Sequence, residues 1–171
     1  MNPECILPNM RSSRTRIMVN GGISHDCKMQ LVEVQGNLNA QRYINEVLDV
    51  QVLPHFANHN QRNGAPIYQQ DGASIHTAGI TMAHLQQANI EVLPWPAKSP
   101  DLSPIENIWS EMEHRINNHP DDPIPTNRVE LRAAVWKAWN SIDQTFIRKY
   151  TRNFFKRVRD CIAANGSSVK Y

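Results

Sequence analysis

The chain has 171 residues, of which 40% are hydrophobic and 20% are charged, and its net charge is +2. This length supports one domain with a buried core, and the composition is ordinary for a globular protein. No apolar run reaches eighteen residues and no signal-type apolar stretch follows the N-terminus, so we expect neither a transmembrane helix nor a secretory signal. A nuclear or cytoplasmic location follows by default.

Short apolar runs and helical spacing of apolar residues predict nine elements. In chain order they are strands 16–22 and 29–35, helix 39–56, strand 67–70, helix 77–88, strand 90–93, and helices 104–117, 127–142 and 146–164. Strands that alternate with helices predict an α/β layer fold. The segment 94–104 holds four prolines and is predicted to be a stiff, extended loop.

The helix boundaries carry recognisable caps. Asn39 and Asn127 are predicted N-caps, and Glu130 stands three residues after Asn127 as in a capping box. The pair Asn165-Gly166 is predicted to end the last helix. Helix 104–117 has one clean apolar stripe, which predicts one packed face.

Two acidic residues fall where an α/β fold places its chemistry. Asp71 follows strand 67–70, and Glu106 lies in the first turn of helix 104–117. Because reactive crevices lie at the carboxyl ends of strands, these carboxylates are candidate ligands for a hard divalent cation. Each also has a purely structural interpretation, since Asp71-Gly72 is a common turn pair and Glu106 suits a helix start after Ser103.

Several blocks of the sequence resemble the Tc-one/mariner transposases of the DDE superfamily. The resemblance rests on residues 68–109, YQQDGASIHTAGITMAHLQQANIEVLPWPAKSPDLSPIENIW, on GNLNAQRYINEVL, and on the stretch from Ile147 to the end of the chain. It implies an RNase H-like mixed sheet flanked by helices, in which three acids bind two Mg²⁺ or Mn²⁺ ions. The implied activity is cleavage of DNA at transposon ends followed by strand transfer, with DNA as partner and a homo-oligomer as a possible assembly.

The resemblance also assigns roles to individual residues. Asp71 matches the second acid of the family and Glu106 the third, with 34 residues between them. His76, in the shared HTA element, and Lys98, in the proline loop, are possible neighbours of the site. His76 could position water or DNA, although it also fits a structural role, and Lys98 could contact a phosphate or be an ordinary loop lysine.

The family's first acid has no counterpart in the sequence. It belongs to a first, central strand upstream of the block that residues 16–22 resemble, and we expect that strand to be missing. Asp26 is the nearest substitute, but it falls in the later hairpin. We therefore expect residues 1–171 to be a single catalytic-type domain, truncated at the N-terminus and without helix-turn-helix domains, in which residues 2–8 fill the gap or the remaining strands close up.

A missing first acid implies impaired catalysis, so the alternative is a non-catalytic remnant that binds DNA or protein. Residues 148–171 contain seven basic residues and one acidic residue, a local charge of +6, which leaves −4 for the rest of the chain. Such a basic segment can contact the phosphate backbone or be a solvated helix face. The candidate DNA contacts are Arg148, Arg152, Lys156, Arg157 and Arg159.

Overall fold

A computed structural model describes residues 5–6, 16–59, 66–97, 99–118 and 122–167. The strands are β1 (Cys5–Ile6), β2 (Met18–Asn20), β3 (Val32–Val34), β4 (Ile67–Tyr68) and β5 (Glu91–Val92). The main helices are α1 (Ala40–Tyr43), α2 (Leu53–His59), α3 (Ser74–Thr77), α4 (Gly79–Gln87), α5 (Pro104–Asn118), α6 (Arg128–Ser141), α7 (Gln144–Arg152) and α8 (Phe154–Ala163). None of the described helices is long and apolar enough to cross a bilayer.

Strand pairing is antiparallel in one small sheet and parallel in another. The first sheet has the order β1-β2-β3, with Cys5 opposite Val19 and Val19 opposite Glu33. The second sheet pairs β4 with β5 in parallel. β1 therefore lies along β2, on the side away from β3. No described strand joins β2 to β4, so the two sheets stay separate.

Two apolar clusters pack on the sheets. The first joins β2 to helices α5, α6 and α7 through Ile17, Val19, Leu31, Ile108, Trp109, Met112, Ile116, Leu131, Val135, Ala138, Trp139, Ile142 and Ile147. The second joins β3 to the first helical region and α4 through Val34, Tyr43, Ile44, Val47, Leu48, Val52, Phe56, Leu85 and Ile90. The apolar stripe predicted for helix 104–117 is thus buried against β2 and α6.

The first long helix differs from the regular helix predicted for residues 39–56. Asn39 caps it as predicted, because its side chain accepts a hydrogen bond from the N–H of Arg42 at 2.9 Å. Between α1 and α2, residues Ile44–Val52 form a π-helix, and the N–H of Leu53 reaches the carbonyl of Leu48. Pro54 follows directly in α2, and because proline has no N–H it donates no hydrogen bond to the preceding π-helical turn.

The predicted helix 146–164 is two helices. α7 ends and α8 begins at Asn153, whose backbone turns the chain. The C-cap prediction is confirmed, because Asn165 and Gly166 have positive φ angles of 52° and 82° and the N–H of Gly166 donates to the carbonyl of Cys161 at 2.9 Å. The break at Asn153 lets α8 pack against the turn of 3₁₀-helix at Pro100–Leu102, just before α5.

Candidate functional site

A cavity of about 360 Å³ lies where the end of β2 faces β4. Its walls come mainly from residues 20–23, 67–69 and 71–73, and from the proline loop and helix start at residues 95–97, 99–100 and 103–106. Both Asp71 and Glu106 line it. The fold therefore brings the two predicted acids to one cavity, as the sequence analysis expected.

Asp71 is held in a tight turn just beyond β4. Its Oδ1 accepts a hydrogen bond from the backbone N–H of Ala73 at 2.9 Å and lies 2.7 Å from Nδ1 of His76. The side chain is 18% exposed. The turn-pair interpretation of Asp71-Gly72 and the candidate-ligand interpretation are thus compatible, because the carboxylate closes the turn with one oxygen only.

His76 lies behind Asp71 and away from solvent. Its side chain has no exposed surface, and its ring packs against that of Tyr43 with centroids 4.5 Å apart. Burial lowers the pKa of His76, and the hydrogen bond to Asp71 opposes this effect. Since the ring has no access to the surface, it does not contact DNA directly.

Glu106 lies in the first turn of α5, as predicted. Burial raises the pKa of Glu106, and the negative charge of Asp71 raises it further. Its carboxylate accepts no hydrogen bond from the described residues. Two carboxylates that repel each other in a half-buried cavity form a site in which a cation is electrostatically favourable.

Asp26, the nearest substitute for the first acid, does not join this pair. Asp26 is exposed in the hairpin turn, where its N–H donates to Ser24 Oγ at 3.3 Å, and it does not line the cavity. Lys98 lies outside the described residues. Within the described part of the chain, no group of three or more His, Cys, Asp or Glu side chains is arranged to hold a metal ion.

The sequence analysis did not predict a buried network of hydrogen bonds behind Asp71. Tyr43 donates to Gln70 Oε1 at 3.1 Å, Gln70 Nε2 donates to the backbone oxygen of His76 at 3.2 Å, and the hydroxyls of Tyr43 and Tyr68 are 2.9 Å apart. Burial raises the pKa of Tyr68 to about 12, so its hydroxyl stays protonated. The one signal available beforehand was the place of Gln70 directly before Asp71.

Comparison with known proteins identifies the family. A model described as DDE superfamily endonuclease matches residues 8–123, which include both Asp71 and Glu106. The chain belongs to the DDE superfamily endonucleases. The resemblance seen in the sequence is thereby confirmed.

Its curated relatives are transposases. The chain is 29% identical over 155 residues to the transposable element Tc3 transposase of Caenorhabditis elegans, which covers 91% of this chain and 46% of the relative. It is 27% identical to the Tcb1 transposase of Caenorhabditis briggsae, covering 99% of this chain and 59% of the relative. The chain thus spans about half the length of the curated relatives it matches.

Solved structures confirm the fold. The catalytic domain of Mos1 mariner transposase superimposes with a TM-score of 0.78 at 20% identity, covering 95% of this chain and 80% of that chain. A Mos1 paired-end complex with the left transposon end superimposes with a TM-score of 0.76 at 20% identity, covering 95% of this chain and 48% of that chain. The expected RNase H-like α/β class is therefore confirmed.

The structure of this DDE-family chain corrects one of the five candidate DNA contacts. Arg157 is 2% exposed, and its guanidinium donates to the Asp101 carbonyl at 3.2 Å and to Asn107 Oδ1 at 2.6 Å. The prediction that Arg157 contacts DNA is wrong, because the guanidinium is used inside the protein. By contrast, Arg152, Lys156 and Arg159 are exposed, and Arg148 is half-buried with Nε donating to the His25 carbonyl at 3.1 Å.

Proposed function

We propose that the cavity binds Mg²⁺ or Mn²⁺ through Asp71 and Glu106, and that it is the catalytic site of a Tc-one/mariner-type transposase domain. The reaction proposed is cleavage of DNA at transposon ends and strand transfer into target DNA. The observation that carries this proposal is that both carboxylates line one cavity. Membership of the DDE superfamily endonucleases supports the same chemistry.

The residues present suit a hard divalent cation. Mg²⁺ prefers oxygen ligands and is commonly held by one or two carboxylates together with phosphates of the substrate. Neither Oδ2 of Asp71 nor the carboxylate of Glu106 accepts a hydrogen bond from the described residues, so both can serve as ligands. When bound, such a cation polarises the phosphodiester and lowers the pKa of an attacking water. Asp71 and Glu106 would orient that chemistry at the wall of the cavity.

DNA is the proposed partner. The Mos1 structures include complexes with transposon ends and catalytic domains with Mn or Mg, which supports the same classes of ligand here. The exposed basic residues of α7 and α8 supply a surface for phosphates. The corresponding assembly is a homo-oligomer. The corresponding location is the nucleus, where it would act on chromosomal DNA.

We also propose that cleavage by this chain is impaired. Phosphoryl transfer with two ions uses ligands that bridge them, and the described residues offer two acids in the cavity rather than three. A cation bound by two carboxylates would be held more weakly and placed less precisely. The expected behaviour is cation binding with slow or undetectable cutting of DNA.

A second candidate function is DNA binding without cleavage. One observation favours it. The exposed cations Arg152, Lys156 and Arg159 belong to α7 and α8, which are different elements from the one that carries the candidate cation ligand Asp71, after β4. Such a surface would bind DNA whether or not the cavity holds a cation. This candidate predicts that loss of Asp71 leaves DNA affinity unchanged.

The test combines cation binding with DNA cleavage. Titration calorimetry with Mn²⁺ should show binding to the wild type and a loss of affinity of at least about tenfold in Asp71→Asn and Glu106→Gln. Glu113→Gln, on the same helix but outside the cavity lining, is the matched control. Equal Mn²⁺ affinity in all four proteins would contradict the proposed site.

Cleavage is measured in parallel by nicking of supercoiled plasmid with Mg²⁺ or Mn²⁺. Weak nicking that disappears in Asp71→Asn supports an impaired transposase domain. Efficient nicking that needs Asp71 refutes the impairment. Absence of nicking together with DNA affinity that does not depend on Asp71 favours the binding module.

A further inference from the structure

The two oxygens of the Asp71 carboxylate have different surroundings. Oδ1 accepts two hydrogen bonds, from the N–H of Ala73 at 2.9 Å and from Nδ1 of His76 at 2.7 Å. No hydrogen bond from a described residue reaches Oδ2. Because charge-assisted hydrogen bonds are short and strong, Oδ1 is committed to the protein. The carboxylate therefore faces the cavity with one oxygen available.

The contact with Asp71 fixes the proton on the His76 ring. A carboxylate offers only acceptors, so Nδ1 of His76 must carry a hydrogen and donate it. Among the described residues, Nε2 is buried and has no hydrogen-bond partner, which suits the bare acceptor of a neutral ring. His76 thus acts on the site through Asp71 and does not itself reach a ligand in the cavity.

One ring contact and two backbone hydrogen bonds hold His76 in place. The Tyr43 ring packs on it, and the backbone oxygen of His76 accepts the hydrogen bond from Gln70. The N–H of His76 donates to the Ala73 carbonyl at 2.9 Å, which closes the turn that starts at Asp71. Rotation of the Asp71 carboxylate would break its two hydrogen bonds, because Ala73 and His76 are held in place and cannot move with it.

We infer that His76 is a positioning residue which holds Asp71 Oδ1 within the protein, so that Asp71 binds a divalent cation through Oδ2 alone, as a monodentate ligand. This inference rests on the proposed function of the cavity. Residues that orient a metal ligand in this way commonly change metal affinity by about 10–100-fold when they are replaced. A monodentate Asp71 also leaves more of the coordination sphere open to phosphate oxygens and water.

The first test compares two replacements of similar polarity at position 76. The amide nitrogen of His76→Asn falls near the place of Nδ1, so this variant keeps a donor for Asp71. The longer side chain of His76→Gln places its amide near Nε2 and loses that donor. Mn²⁺ affinity by calorimetry should fall about 10–100-fold in His76→Gln and stay within about threefold of the wild type in His76→Asn.

Leu85→Ala separates positioning from stability. Leu85 is fully buried in the same apolar cluster and makes no contact with Asp71 by hydrogen bond, so this variant loses stability without losing the donor. It should keep wild-type Mn²⁺ affinity. An equal loss of affinity in Leu85→Ala and His76→Gln would overturn the inference, because stability alone would then explain both.

A spectroscopic test uses proteins with position 76 intact, so it holds even if the His76 variants do not fold. The infrared difference between Mn²⁺-bound and Mn²⁺-free wild type is compared with the same difference for Asp71→Asn. A wide separation of the two Asp71 carboxylate stretches indicates monodentate binding and supports the inference. A narrow separation indicates bidentate binding and overturns it. Absence of Mn²⁺ binding by the wild type refutes the proposed function, and the inference with it.

Discussion

Nη2 of Arg157 lies 2.6 Å from Oδ1 of Asn107, and Asn107 directly follows Glu106. Nη1 of the same guanidinium donates to the carbonyl of Asp101 at 3.2 Å. A single buried arginine in α8 therefore ties together the two ends of the loop-to-helix junction that carries Glu106. The position of Glu106 in the cavity depends on a residue 51 positions further along the chain.

Replacement of Arg157 should destabilise the fold strongly. Arg157→Leu leaves the Asn107 side chain and the Asp101 carbonyl without this donor, and we expect the free energy of unfolding to fall by about 2–4 kcal/mol. Urea denaturation measures the change. Arg159→Leu, two residues later on the exposed surface, is the control and should change stability by less than about 0.5 kcal/mol. Similar losses in both variants would show that Arg157 has no special role.

Glu106→Gln should stabilise the cation-free protein. Because the folded state raises the pKa of Glu106 above 4.5, ionisation of this carboxyl disfavours folding. This destabilisation is complete at pH values above the pKa of Glu106 in the folded protein. It disappears as the pH falls to 4.5 and below. In EDTA we expect the variant to melt a few degrees higher than the wild type at pH 7, and this advantage to vanish at pH 4.5.

Thermal melts of both proteins at the two pH values measure that difference. Glu113→Gln controls for the loss of a negative charge on α5, and it should show no comparable gain. An advantage of equal size at pH 7 and pH 4.5 would mean that burial of the Glu106 carboxylate does not limit stability.

Lys28 should stabilise the fold, because it donates hydrogen bonds to carbonyl groups at the C-terminus of α6. Its Nζ donates to the carbonyls of Trp139 and, at 2.7 Å, of Ile142, at the C-terminus of that helix. Lys28→Met removes both charged hydrogen bonds, and we expect the free energy of unfolding to fall by about 1–3 kcal/mol in urea denaturation. Lys137→Met removes a lysine whose side chain is 58% exposed and should cost about 0.5 kcal/mol or less.

DNA binding should depend on salt through the exposed basic residues of α7 and α8. The double variant Arg152→Gln/Arg159→Gln should lower the slope of log affinity against log salt concentration by about 1–2, since each phosphate contact contributes about 0.9. Fluorescence anisotropy with a labelled duplex measures it. Arg128→Gln/Arg132→Gln, whose arginines both pair with Glu33 at 2.8 Å, should leave the slope unchanged. Identical slopes in both double variants would exclude Arg152 and Arg159 as DNA contacts.

The sequence analysis succeeded where the determinants are local. Asn39 and Asn127 cap their helices as predicted, with Asn127 Oδ1 accepting from the N–H of Glu130 at 3.0 Å. The Glu130 side chain also accepts hydrogen bonds from the N–H and the hydroxyl of Thr126, the residue before the N-cap, at 2.8 Å and 2.9 Å. Convergence of Asp71 and Glu106 on one cavity was also foreseeable, because strand ends and the following helix starts meet at one edge.

Features that depend on distant contacts were not predictable. Arg157 stands among exposed basic residues in the sequence, and its burial follows from the break at Asn153, which lets α8 pack on Pro100–Leu102. The π-helix at Ile44–Val52 has the same spacing of apolar residues as an α-helix, so periodicity does not reveal it. The hydrogen-bond network of Tyr43, Gln70 and His76 joins α1, the segment after β4, and α3. No local sequence pattern predicts it.

The stacked indoles of Trp109 and Trp139, with centroids 5.4 Å apart and planes 25° from parallel, lie directly beneath Gly21. A Cβ at Gly21 would lie 2.9 Å from each ring, and Gly21 itself forms part of the cavity wall. Any occupant that displaces this wall changes the environment of both indoles. We therefore expect the intrinsic tryptophan fluorescence to change when a ligand enters the cavity, so that its entry can be followed without an attached dye.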